Sequence, residues 1–375
     1  MGRKVGRMEQ TAAKIFLVPV FVFCLTACGK SDSLDYSTLG SQPIVQETES
    51  IEETEEMKSM RVSLPVKSSG NGLENGKTFT AVNRATRVWD VIRNPVFNDY
   101  GRLIFPVDQT LDENLTLENV DDILTWYHYI NPDKTVEIVN YLGEQAEAGV
   151  PVFYDIYTEE EKAEDPWKED TGLFFFRGKQ SEKVAICNAG GGFAYVGAMQ
   201  DSFPHALELS KKGYNAFALI YRPGAQTACE DLARAIAFIH GHAEELQVDV
   251  TDYSLWGGSA GARMAAWLGS YGTEAFGEAA CPRPAAIIMQ YTGLSEVLGN
   301  EPPTYNCVGT SDGIASYRTM EERISRIKSQ GTDAEIDVFN GLPHGFGIGE
   351  GTVAEGWIDN AVAFWERQMQ GQDRM

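Results

Sequence analysis

Trp256-Gly257-Gly258-Ser259-Ala260-Gly261 stands between a short apolar run, Tyr253 to Trp256, and a longer apolar stretch, Ala262 to Leu268. The first has the length and composition of a strand and the second those of a buried helix, so the residues between them read as a strand-to-helix turn. They fit the pattern G-x-S-x-G, in which glycines relieve the crowding of a sharp bend and the serine hydroxyl is pushed out above the sheet. Taken alone the signal is divided, because glycine-rich strand-to-helix turns also bind phosphate or simply redirect the chain.

The residues on either side of this turn alternate short apolar runs with longer helical patterns, the signature of βαβ units around a parallel sheet. The runs are Val184 to Cys187, Ala216 to Tyr221, Tyr253 to Trp256, Ala285 to Tyr291, Tyr305 to Val308 and Ile336 to Phe339. Between and after them lie amphipathic stretches: Asp231 to Ala243, with Leu232, Ala235, Ile236 and Ile239 at helical spacing, then Tyr317 to Lys328 and Trp357 to Met369. Val150 to Tyr157 and Gly172 to Arg177 read as an antiparallel pair leading into the sheet. Upstream, residues 76–149 mix an expected extended part, Arg102 to Val107, with helical patterns at Leu117 to Tyr129 and Thr135 to Gln145. They are expected to form an N-terminal extension or a cap, with residues 150–375 as the catalytic domain.

Two loops downstream of the serine supply what a hydroxyl nucleophile needs. Val308-Gly309-Thr310-Ser311-Asp312-Gly313 places an acid just past one strand, and Gly341-Leu342-Pro343-His344-Gly345-Phe346-Gly347 places a histidine in a glycine-rich loop past another. A serine hydroxyl is a poor nucleophile until a base takes its proton, which is the role expected of His344. Asp312 is expected to hold the imidazole in the right tautomer. The carboxyl ends of strands are where open α/β sheets gather such groups.

Other histidines and acids fit less well. His128 precedes the sheet, His205 lies on the helix after a glycine loop, and His240 and His242 end an amphipathic helix, so packing or surface roles are expected for all four. Asp333 and Asp337 are alternatives to Asp312, but Asp337 alternates with Ile336 and Val338 inside a strand and is expected to face solvent or a helix. A further loop, Asn188-Ala189-Gly190-Gly191-Gly192-Phe193, follows the strand Val184 to Cys187. Consecutive glycines let N–H groups turn toward one point, so Gly191 and Gly192, joined by the N–H of Ala260, are the expected oxyanion donors.

From about Val184 to Trp365, around half the chain, the sequence resembles α/β-hydrolase esterases of the hormone-sensitive-lipase-like and acetyl-esterase type. The residues that carry the resemblance are Gly190-Gly191-Gly192-Phe193, Tyr221-Arg222-Pro223, Asp231, Gly257-Gly258-Ser259-Ala260-Gly261, Asp312 and His344. The resemblance implies an α/β-hydrolase fold, with a mostly parallel central sheet flanked by helices. It also implies hydrolysis of carboxylic esters through an acyl-enzyme on Ser259, with no metal and no organic cofactor. Such relatives usually carry a histidine before the three glycines, where this chain has Ala189.

The remaining sequence sets the context. Arg3, Lys4, Arg7 and Lys14 precede an apolar run from Ile15 to Phe23 that is short for a membrane span, and Leu25-Thr26-Ala27-Cys28 follows. This resembles the site at which bacterial lipoproteins are cleaved and acylated. Residues 1–27 are then a signal peptide and Cys28 the lipidated terminus of an extracytoplasmic, membrane-anchored protein. Residues 28–75 are rich in Ser, Thr, Gln and Glu and poor in aromatics, and read as a disordered acidic tether. The net charge is −23, and the first 27 residues, with Arg3, Lys4, Arg7 and Lys14 against Glu9, contribute +3 of it, leaving −26 for the rest. No nucleic-acid partner is expected, since phosphate binding needs a basic face.

Cys187, Cys229, Cys281 and Cys307 are scattered through a large domain and read as free thiols, and no metal site is expected from their spacing. A small-molecule or carbohydrate ester is the expected substrate, with Phe193, Tyr195, Trp126 and Tyr127 as aromatics near the predicted mouth. Two other readings stay open at this point: a serine peptidase acting on short peptides, and a catalytically silent ligand-binding lipoprotein.

Overall fold

A computed structural model describes residues 78–124 and 129–372. The expected signal peptide, Cys28, the acidic tether and Trp126, Tyr127 and His128 lie outside the described residues.

One sheet organises the chain. Its strands are β1 (Phe153–Tyr154), β2 (Gly172–Phe176), β3 (Lys183–Asn188), β4 (Asn215–Ile220), β5 (Asp249–Gly258), β6 (Ala286–Gln290), β7 (Thr304–Gly309) and β8 (Ala334–Phe339). They lie side by side in the order β1-β2-β4-β3-β5-β6-β7-β8. The pairs β1·β2 and β2·β4 are antiparallel and every other pair is parallel. Among the described residues, six longer helices accompany the sheet: α1 (Pro132–Glu147), α2 (Phe203–Lys212), α3 (Ala225–Gly241), α4 (Ala260–Tyr271), α5 (Tyr317–Ser329) and α6 (Trp357–Gln372). This strand order, with α2 to α5 as connections and α6 following β8, is the α/β-hydrolase fold.

The uninterrupted apolar runs of the sequence follow from this layering, because a strand covered on both faces has no solvent side to alternate toward. β2, β4, β6 and β7 are buried at every residue. β8, at the sheet edge, is half-buried at all but its first residue. Each expected strand is present, with ends shifted by a few residues. In the expected antiparallel pair, however, Val150 to Tyr157 contributes only two strand residues, Phe153 and Tyr154.

The chain reverses direction about β3, which lies between β4 and β5 in parallel register. Asn188 at the end of β3 stands beside Gly257 near the end of β5. The loop after β3 and the turn after β5 therefore open into the same crevice, where sheets of this kind collect ligands.

Three expectations need correction. α3 starts at Ala225, not Asp231. Asp231 is instead buried inside the helix, accepting from the backbone N–H of Arg222 at 2.7 Å, Arg222 Nη2 at 2.7 Å and the hydroxyl of Tyr157 at 2.6 Å. A carboxylate is tolerated there because both oxygens are paired. Arg102 to Val107 is not an extended segment, since residues through Ile104 belong to 3-10 turns, Pro95–Ile104. Pro95 and the Asn94 side chain, which accepts from Val96 N, start those turns, and the buried residues Phe97, Tyr100 and Leu103 recur at the spacing of three that suits them. Of the stretch Leu117 to Tyr129, the described residues up to Leu124 form a short 3-10 piece, Leu117–Ile123, ending in an extended Leu124; residues 125–128 lie outside the described residues. Thr135 to Gln145 does lie in a helix, α1, capped by the Asn131 side chain.

The residues before β1 share a single core with the sheet: Val88, Phe97, Leu103 and Ile138 belong to the same buried cluster as β3 and β5. Tyr100 stacks on Phe153 of β1 at 5.1 Å between ring centres. At the other side, Lys134 of α1 pairs with Glu208 of α2 at 2.9 Å and with Glu350 at 3.0 Å. Glu350 lies in the loop that carries His344, so the extension grips the segment that presents the histidine.

Candidate active site

β5 ends at Gly258 and α4 begins at Ala260, leaving Ser259 alone to make the bend. Its backbone sits at φ 51, ψ −112, a conformation that costs a non-glycine residue about 1–3 kcal/mol. The surroundings enforce it. The Ser259 N–H donates to Gln290 O at 3.0 Å. The flanking glycines are needed for close approach: a Cβ on Gly257 would stand 2.3 Å from the Gly261 carbonyl, and one on Gly261 would stand 2.1 Å from Asn188 O.

His344 presents Nε2 to Ser259 Oγ at 3.1 Å and Nδ1 to Asp312 Oδ2 at 2.8 Å. Because a carboxylate only accepts, Nδ1 carries the hydrogen and Nε2 is left free to take one from the serine. The side chains of His344 and Asp312 are 5 % and 0 % exposed, so the pair works away from water. The second oxygen of Asp312 accepts from the N–H groups of Ile314 at 2.8 Å and Ala315 at 2.7 Å. The structure thus brings together the three residues expected to meet.

The loop after β3 closes the site from above. Gly191 and Gly192 have φ of +129 and +61, which glycine alone adopts freely. A Cβ on Gly190 would lie 3.0 Å from Ser259 Cβ, so this backbone runs directly against the serine. Ala260, at the N-terminus of α4, adds the start of a helix whose first N–H groups lack intrahelical partners. At position 189 the buried alanine offers no polar side chain, and its carbonyl accepts instead from the Tyr221 hydroxyl at 2.7 Å. Burial pushes the Tyr221 hydroxyl well above its ordinary pKa, which keeps it a donor.

The competing residues are accounted for elsewhere. His205 is buried, with Nε2 2.7 Å from Gln290 Oε1, and burial lowers its pKa to about 4, holding it neutral. Burial likewise lowers His240 to about 4, edge-on to Tyr253, while His242 Nδ1 lies 2.7 Å from Phe238 O. Asp337 accepts from Tyr305 and from Asn360 of α6, and Asp333 accepts from Gln368. The four cysteines are free, and burial raises the thiols of Cys187, Cys229 and Cys307. Tyr195 is buried, so it offers no surface for stacking, whereas Phe193 is half-buried and stacks on Trp267 at 6.1 Å.

Several supporting residues left no mark in the sequence pattern. Gln290 takes the Ser259 N–H on its backbone oxygen and donates its amide to Gly347 O at 2.7 Å, joining the serine turn to the histidine loop. Gln200 donates to Gly345 O in the same loop. Tyr291 sets its ring 4.8 Å from the His344 ring, and its hydroxyl donates to Asp201. The one available signal for Asp201 was an acid following the apolar pair Ala198-Met199, on a helical turn that proves fully buried.

Comparisons with known proteins cover part of the chain. The BD-FAE family model matches residues 176–294, which span the glycine loop and the serine turn and end before Asp312. No curated protein matches the chain. Among solved structures, it is similar to the acetyl ester-xyloside bifunctional hydrolase of Caldicellulosiruptor lactoaceticus, with 21% identity and a TM-score of 0.47 over 52% of this chain and 88% of that one. It is also similar to the propionate-bound esterase Est2 of the Planctomycetes species Thermogutta terrifontis, with 24% identity and a TM-score of 0.46 over 52% and 89%. A third, the α/β hydrolase MGS-M1 from a Medee basin deep-sea metagenome library, has 19% identity and a TM-score of 0.46 over 53% and 93%.

Proposed function

We propose that the protein is a serine hydrolase that cleaves carboxylic esters through an acyl-enzyme on Ser259. The observation that carries this reading is the continuous contact from Asp312 through His344 to the Ser259 hydroxyl, at 2.8 and 3.1 Å. In the first step Ser259 Oγ attacks the ester carbonyl carbon while His344 Nε2 takes the hydroxyl proton. The carbonyl oxygen becomes an oxyanion facing the N–H groups of Gly191, Gly192 and Ala260. As the tetrahedral intermediate collapses, the C–O bond to the alcohol breaks and His344 returns its proton to the departing oxygen. Water then repeats the sequence on the acyl-serine, releasing the carboxylic acid and restoring the hydroxyl. Asp312 stays ionised throughout and stabilises the imidazolium that forms twice per turnover.

Fluorophosphonate labelling with peptide mapping tests activation and position together. The label is expected on the peptide carrying Ser259, in a protein that also hydrolyses a short p-nitrophenyl ester. A label on another serine, or none, refutes the assignment.

The substrate class we assign is an acylated carbohydrate, on the ground that an enzyme tethered outside the cell meets acylated polymers more readily than cytoplasmic metabolites. Release of acetate from acetylated xylan, with aminoacyl-p-nitroanilides left intact, is the expected pattern; the reverse pattern identifies a peptidase. The tether is itself a proposal, resting on the basic residues, the apolar run and Leu25-Thr26-Ala27-Cys28. Cys28→Ser is expected to move the protein out of the membrane fraction, because a single residue then carries the whole anchor. Unchanged membrane association in that variant argues against acylation at Cys28.

A further inference from the structure

Asp201 is 1 % exposed; it binds the glycine loop, lies against the serine turn and reaches the His344 ring through Tyr291. One oxygen, Oδ2, accepts from the N–H of Gly190 at 3.0 Å, at the base of the oxyanion loop. The other, Oδ1, accepts from the Tyr291 hydroxyl at 2.5 Å, and the Tyr291 ring lies 4.8 Å from the ring of His344. The carboxylate also occupies the space that side chains on two motif glycines would need. A Cβ on Gly190 would stand 2.5 Å from Asp201 Oδ2, and one on Gly258, the residue before the nucleophile, would stand 2.8 Å from its Cγ. Glycine at both positions is therefore matched to this one side chain.

We infer that Asp201 is a positioning residue for the reaction, fixing the glycine loop, the serine turn and the ring beside His344 in a single register. The inference rests on the Ser259 reading above. Oxyanion donors act only when they already stand where charge develops, and a displacement of about 1 Å is enough to lose much of their effect. The glycines that let the loop's N–H groups converge also leave it free to move, and position 189 offers no polar side chain to restrain it; beyond the Tyr221 hydroxyl on the Ala189 carbonyl, a further tie is needed. The hydrogen bond from Gly190 N–H to the buried Asp201 side chain supplies that restraint. Tyr291 extends the same restraint to the imidazole, whose ring lies 4.8 Å from its own.

The test is steady-state kinetics of the full chain on a short p-nitrophenyl ester, with thermal unfolding as a check on folding. Asp201→Ala is expected to lower kcat about 30-fold or more while KM stays within about 3-fold, since the donors it places act on the transition state. Asp201→Asn, which keeps an oxygen for Gly190 N–H and a polar partner for Tyr291, is expected to recover kcat to within about 5-fold of the parent. A folded Asp201→Ala with unchanged kcat overturns the inference, as does a rise in KM alone. Should Asp201→Ala fail to fold, Tyr291→Phe decides: a kcat about 5-fold lower at constant KM supports the restraint, and an unchanged kcat overturns it. A parent protein that neither hydrolyses esters nor takes the fluorophosphonate label contradicts the reading of Ser259 instead. That result is distinct from every outcome among the variants.

Discussion

Ser259→Ala is expected to lower kcat on a short ester by about three or more orders of magnitude while substrate binding is retained. The substitution removes one oxygen atom and nothing that holds the fold. The unusual backbone at φ 51 is imposed by the bond from Ser259 N–H to Gln290 O and by the close-packed glycines on either side. Alanine has a Cβ as serine has, so the conformational cost is already present in the parent. Unfolding should therefore change little, and the loss can be read as chemistry. Without Oγ, His344 and Asp312 have no proton to manage, and no acyl-enzyme forms. What remains is direct attack by water on a bound ester facing the N–H groups of the glycine loop, which in comparable sites still exceeds the uncatalysed rate by about 10³–10⁴. Turnover in Ser259→Ala close to that of the parent would rule out Ser259 as the nucleophile. A KM increased in step with the loss of kcat would point to damaged binding instead.

The parts of the fold that the sequence revealed are those governed by local rules. Strands buried on both faces, such as Ala216 to Tyr221, must be apolar without interruption, and a sharp bend such as Gly257 to Gly261 must be built from small residues. Asp312 and His344 could be singled out for the same reason: each follows a strand end, where the topology delivers side chains to a common rim. Helix ends were less visible. Asp231 has the character of a residue that starts a helix, and only its pairing with Arg222 and Tyr157 explains why it lies in the middle of one. In the extension, Phe97, Tyr100 and Leu103 recur every third residue, a spacing that short 3-10 turns satisfy but that is easily taken for extended chain next to Ile104 and Phe105.

The support of the site was the least legible part, because Asp201, Gln290 and Tyr291 acquire their roles only from partners far away in sequence. Asp201 lies 90 residues from Tyr291, and Gln290 lies 57 from Gly347. No periodicity or motif encodes such meetings. Ala189 shows the converse: the absence of the expected histidine was visible, but what steadies the loop in its place, the Tyr221 hydroxyl and the Asp201 carboxylate, was not.

Asp312→Asn should be about as damaging as loss of the nucleophile, with kcat lowered by about 10³–10⁴, and the local hydrogen bonds say why. In the parent, Oδ1 accepts from two backbone N–H groups, those of Ile314 and Ala315, while Oδ2 accepts from His344 Nδ1. An asparagine has one oxygen, and two N–H donors claim it. Its amide nitrogen is then turned toward His344, where two hydrogens face a ring nitrogen that must now accept. The ring responds by moving its own hydrogen to Nε2, the atom 3.1 Å from Ser259 Oγ. Geometry survives, but the base becomes a donor and cannot take the serine proton. Asp337→Asn is the informative companion, because that carboxylate accepts from Tyr305 and Asn360 and has no contact with the imidazole. It should alter kcat by less than about 3-fold, as expected of a residue outside the site. The two variants measured side by side discriminate sharply: if Asp337→Asn proves the more damaging, the acid of the triad has been misassigned, and the tautomer argument for Asp312 falls with it.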